Sequence, residues 1–102
     1  MKQTLTLLLA LLLAPNIQAA PFATGHADVG KTLHNRDCVA CHQARFGGDG
    51  SKIYTRADRR IKSASGLAQQ ITVCNANLGN KLFPEDEADI GAYLNKTWYK
   101  FK

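Results

Sequence analysis

The pentapeptide Cys38-Val39-Ala40-Cys41-His42 constrains what this chain can fold into more than any other feature. The residues available to fold around it are few. The chain has 102 residues and opens with MKQTLTLLLALLLAPNIQAA, in which Lys2 precedes an apolar run from Leu5 to Ala14 broken only by Thr6. A charged start, an apolar core and small residues are the layout of a secretory signal peptide. The run is too short to cross a ~30 Å hydrocarbon layer as a helix. An uncleaved membrane anchor is the alternative. Cleavage after Ala19 fits best, because a cut after Ala20 would leave Pro21 directly behind it. The expected organisation is a signal peptide over 1–19 and one exported, periplasmic domain over 20–102, with no membrane insertion of the mature chain. A domain of that size lies where apolar burial barely offsets chain entropy, and such domains usually need a disulfide, a metal or a cofactor.

Three cysteines cannot make a disulfide framework without leaving one over. A structural zinc site needs four ligands, commonly a second paired-cysteine motif or a spaced histidine pair. Beyond His42 the chain offers only Cys74, His26 and His34. A thioredoxin-like redox motif requires a preceding strand and a βαβ context, and neither is visible. The fifth residue favours another chemistry, because C-x-x-C-H is the attachment signal of a c-type haem. Two thioethers, from Cys38 and Cys41, would hold the macrocycle, and His42 would ligate iron from one face. The expected cofactor is one covalent haem c, with zinc and a bare redox pair as the remaining readings.

Helical patterns fill the rest of the chain. Val29 to Cys41 reads as a helix running into the motif, capped by Asp28, with Gly30 and Leu33 on one face. Phe46 to Lys52, FGGDGSK, reads as a loop. Ile53 to Lys62 carries a basic cluster, Arg56, Arg59, Arg60 and Lys62. Ser63 to Asn77 returns to helix with Ser65 as its cap; Leu67, Ile71, Cys74 and Leu78 form one stripe, and Gly79 and Asn80 stop it. The last helix starts at Pro84, with Glu85, Asp86 and Glu87 in a first turn where the helix dipole favours negative charge. Its face is Ile90, Tyr93, Leu94 and Thr97, followed by the aromatic tail WYKFK from Trp98 to Lys102. The fold class is all-α.

Gly30-x-x-Leu33 ahead of CVACH, together with EADIGAYLN from Glu87 to Asn95, resembles a class I monohaem cytochrome c. The resemblance covers nearly all of 20–102. It implies a small fold packed around the haem, in which the first and last helices cross near a right angle. Gly30 would let the backbones approach, and Tyr93 would pack at the crossing.

That family usually supplies a late methionine as the second axial ligand, and here the only methionine is Met1. His/Met ligation is therefore not expected. His34 lies four residues before Cys38 and reads as a partly exposed helical histidine near the attachment edge. His26 could swing over from the lead-in, and Lys81 could reach from beyond the second long helix. Asn75 and Asn77 are weak ligands, more often hydrogen bonders at helix ends. Cys74 shares the inward stripe, although a free cysteine often behaves as a small buried hydrophobe. The segment Cys74 to Leu94 also resembles the sphaeroides haem protein and cytochrome c″ group. In that group the distal Asn or His precedes the cysteine, which pairs with a second cysteine eight residues on. Val73 and Leu82 stand at those positions and can do neither. Cys74 is thus the candidate distal metal ligand.

The expected function is a one-electron carrier rather than an enzyme, since no nucleophile–base constellation appears. A formal net charge of +5, +4 without Lys2, suits a redox partner protein with an acidic face, steered by Arg56, Arg59, Arg60 and Lys62. No nucleic-acid partner is expected. The alternatives are a gas-binding haem protein with an open distal site and a haem subunit of a larger oxidoreductase that docks through the aromatic tail.

Overall fold

The computed structural model describes residues 21–102, so the leader expected over 1–19 lies outside the described residues. Among those described, the chain is all-α: α1 Ala27–Asp37, α2 Val39–Phe46, α3 Lys52–Thr55, α4 Ala64–Leu78 and α5 Pro84–Leu94, followed by a π-helical turn at Asn95–Tyr99. None of these helices is long and apolar enough to cross a membrane.

The first and last helices make the frame. A Cβ placed on Gly30 would lie 1.8 Å from the Asp89 carbonyl oxygen and 2.8 Å from the Ile90 nitrogen, so only a glycine lets α1 meet α5 there. Close approach by a residue without a side chain is the use to which helices put glycine at crossings. Asp89 reaches back and accepts a hydrogen bond from the His26 backbone N–H at 2.7 Å. That bond starts α1 two residues ahead of the expected Val29, with His26 rather than Asp28 at the cap position. Asp28 sits in the first turn instead, where its charge complements the helix dipole.

The expected single helix from Val29 to Cys41 is two helices. The chain leaves α1 at Cys38 (φ −118°, ψ −38°) and resumes helical winding as α2 at Val39. Helix α4 is capped by Ser63 rather than Ser65: the extended Ser63 accepts the Gly66 N–H on Oγ at 3.0 Å. It ends where expected, on a left-handed Gly79 at φ 66°. Helix α5 begins at Pro84, and Asp86 accepts the Phe83 N–H at 3.0 Å. Thr72 and Asn75 of α4 both donate to the Glu87 carboxylate, at 2.5 and 2.8 Å, which ties α4 to α5.

The core is Leu67, Ile71, Ile90 and Leu94, with Tyr54 and Tyr99. Thr97, expected on the buried face of α5, is exposed. The wider π turn rotates the face past Thr97 and turns Tyr99 inward instead.

Candidate cofactor site

A cavity of about 740 Å³ opens between α2, α3, α4 and α5. Cofactor and ligand pockets commonly run from ~300 to 1,000 Å³. Cys38, Cys41 and His42 line it together, and so does the whole expected stripe of α4: Leu67, Ile71, Cys74 and Leu78. Leu67 and Ile71 reach into the core, whereas Leu78 stays half exposed. The stripe therefore faces the cavity as much as the protein interior.

The break at Cys38 places the two paired cysteines differently. Cys38 is half-buried and Cys41 exposed. Burial, and after it the charge of Asp37 and the neighbouring Cys74 and Cys41 thiols, pushes the Cys38 thiol up to about 11. At neutral pH that sulfur stays protonated, and a thiol is a far weaker partner than a thiolate for disulfide formation.

His42 Nδ1 lies 2.7 Å from the Tyr54 hydroxyl oxygen, which leaves Nε2 as the nitrogen available to a metal. The same hydroxyl lies 2.7 Å from His34 Nε2. His34 is not the partly exposed histidine expected from its place in α1, since only 4% of it is accessible. Its Nδ1 is buried with no hydrogen-bond partner among the described residues. Burial lowers the basicity of both imidazoles. At His34 the Asn35 amide partly opposes burial, yet does not reach Nδ1 with hydrogen-bond geometry.

Neutral, buried His34 has a consequence for stability. The unfolded chain protonates it near its ordinary value of 6.5, and the folded chain does so only lower. The unfolded state then binds more protons, so stability present above pH 6.5 erodes as the pH falls through that value toward the depressed one. The Tm of the intact protein is expected to drop between pH 7.5 and 5.5, with a shallower slope in His34→Gln. Equal slopes in the two proteins would show that His34 does not titrate on unfolding.

The distal candidates separate. Cys74, Asn75 and Asn77 line the cavity; His26 and Lys81 do not. His26 has its backbone N–H on Asp89 and its ring Nδ1 3.4 Å from the same carboxylate. Asn75 is fully occupied, donating to the Leu82 carbonyl and Glu87 and accepting the Leu82 N–H, so it holds the turn into α5 as a helix-end hydrogen bonder. Val73 is exposed, while Leu82 lines the cavity. The Cys74 sulfur accepts a hydrogen bond from the Gln70 amide at 3.2 Å.

The basic segment also divides. Arg59 donates to the Tyr54 carbonyl at 2.9 Å and lies over the Tyr99 and Phe101 rings, with 5.0 and 5.4 Å to their centroids. Arg45, Arg56 and Arg60 line the cavity. Arg56 Nε is buried without a hydrogen-bond partner among the described residues, and the Asp58 carboxylate lies 3.6 Å from it. A desolvated cationic donor beside an apolar cavity suits a ligand that carries carboxylates, as haem does in its two propionates. The thiol pair, a free imidazole nitrogen and this donor fit the group that the pentapeptide implies.

Tyr54 is the residue that the sequence reading missed. It is the one aromatic between Lys52 and Lys62, next to Ile53 in a stretch rich in charge. That isolated apolar pair was the available signal for an inward turn. No family model, curated protein or solved structure matches the chain.

Proposed function

We propose that the chain is an exported c-type monohaem cytochrome of the class I kind that carries single electrons in the periplasm. The observation that carries this reading is the convergence of Cys38, Cys41, His42 and Cys74 on one cavity with apolar walls. Cys38 and Cys41 would form the thioethers, and His42 would present Nε2 as the proximal ligand. Haem held this way supplies reversible one-electron chemistry at iron. Cys74 would serve as the distal ligand of the ferric state. Nearby ferric iron favours the thiolate, and a thiolate in turn favours the oxidised metal. Exposed Arg60 and Lys62 would steer an acidic partner, an effect on encounter rate that salt screens over about 8 Å.

Gas binding is the second reading, favoured by the Gln70 hydrogen bond to Cys74. With that amide on one of its lone pairs, the sulfur is less available to iron, and the α4 side of the cavity is left without a strong ligand. One experiment separates the readings. The haem-loaded protein should keep a peroxidase-active band through denaturing electrophoresis and show a low-spin ferric spectrum that turns high-spin in Cys74→Ala. Loss of the band on denaturation sinks the covalent haem. A low-spin spectrum unchanged in the variant removes Cys74 as ligand, and a high-spin wild type puts gas binding first.

A further inference from the structure

Tyr54 lies outside the pentapeptide, yet its hydroxyl bridges two histidines, His42 through Nδ1 and His34 through Nε2, each at 2.7 Å. A phenol has one proton to donate, and a neutral imidazole has one donor and one acceptor nitrogen. With the phenol proton used within the trio, the two hydrogen bonds run in one of two directions. In one, His42 Nδ1–H donates to the Tyr54 oxygen and Tyr54 O–H donates to His34 Nε2. In the other, His34 Nε2–H donates to Tyr54, and Tyr54 O–H donates to His42 Nδ1. The second direction puts the His42 proton on Nε2 and closes that nitrogen to a metal.

We propose that Tyr54 and His34 are positioning residues that hold the His42 proton on Nδ1 and its lone pair on Nε2. The inference rests on His42 as the proximal haem ligand and adds what selects its tautomer. Tyr54 is fixed for the task. Its ring stands edge-on to His42, with centroids 5.3 Å apart and planes at 78°, and it packs 5.6 Å from Tyr99. Arg59 holds its backbone carbonyl from the other side of the residue. His34 is fixed in turn by burial and by the Tyr93 ring at 5.4 Å.

The direction also fixes the proton of the remaining His34 nitrogen. With Nε2 accepting from Tyr54, neutral His34 carries its proton on Nδ1, the buried nitrogen that has no partner among the described residues. His34 and Tyr54 line a second cavity of about 270 Å³ along with Asn35, Gln43, Asp49 and Ser51. A polar cavity of that size has room for water to meet such a donor. A histidine ligand that donates through its second nitrogen is fixed in orientation and becomes a more basic ligand.

The test reads the iron–histidine bond in the haem-loaded protein. After photolysis of carbon monoxide from the ferrous form, the iron–histidine stretching band should move to lower frequency in Tyr54→Phe, which keeps the ring and removes the hydroxyl that accepts from His42. His34→Ala should shift it in the same sense by less, and His34→Gln, whose amide oxygen can still accept, should restore it. An unchanged band in haem-loaded Tyr54→Phe overturns the inference. Should that variant fail to fold, nitrogen-15 histidine spectra of the wild type decide the matter. A slowly exchanging proton on His42 Nδ1, close to the Tyr54 ring, is expected, and its absence overturns the inference. A wild type with no covalent haem overturns the cofactor reading itself.

Discussion

Gly30→Val is expected to remove most of the folded protein. A Cβ at this site would lie 1.8 Å from a backbone oxygen and 2.4 Å from the carbonyl carbon of Asp89, atoms that no rotamer change can move aside. The two helices of the frame would have to separate. Overpacking a tight site costs typically 1–3 kcal/mol and more where backbone must yield. At about 3 kcal/mol, a domain of this size should lose roughly 12–24 °C in Tm. Separation of α1 from α5 would also break the Asp89 hydrogen bond that starts α1. Thermal melts of the protein followed by circular dichroism would show it. A variant melting within a few degrees of the wild type would mean that the helices do not meet at Gly30.

Cys41→Ser is expected to reduce the yield of folded, haem-loaded protein at least roughly tenfold, because one or two kcal/mol is a factor of 5–30 in a folding equilibrium. Helix α2 contributes no buried residue of its own. What holds it is the Tyr54 bond to His42 and the tight approach of Gly50, where a Cβ would lie 2.8 Å from the His42 Cβ. A covalent group attached at Cys38 and Cys41 would join α2 to the rest of the core, and its binding free energy would be folding free energy. Haem content per chain and resistance to protease are the measurements. A fully helical, protease-resistant variant without haem would show that the domain needs no cofactor to fold.

The stop of α4 and the start of α5 could be read from the sequence because they are local events. A left-handed Gly79 and a proline with an acidic first turn each act within one turn of helix, although the cap of α4 fell on Ser63 and not on the expected Ser65. The α4 stripe was legible for the same reason, since helical period alone puts Leu67, Ile71, Cys74 and Leu78 on one face. The errors lie where distant segments decide. The Asp89 carboxylate, 63 residues away, starts α1 at Ala27. Tyr54, 20 residues from His34, draws that histidine into a hydrogen-bonded trio that no spacing rule foreshadows. The sequence places Arg59 in a basic cluster expected to steer a partner, yet its partners are a backbone carbonyl and two rings of the C-terminal tail.

The π turn at Asn95–Tyr99 makes the tail a matter of residue count rather than residue type. Ordinary α-winding from Leu94 would keep Thr97 and Trp98 on the core side; the wider turn delays the face and delivers Tyr99. Asn95 then closes the tail, accepting the Lys100 N–H on its carbonyl and exchanging two side-chain hydrogen bonds with Phe101. Losing any single residue between Asn95 and Tyr99 would break both the phase and the closure at once. An exchange of one exposed side chain there for another would disturb neither. For this last stretch, insertions and deletions are the damaging class of change, and exposed positions such as Lys96 and Thr97 are free to drift.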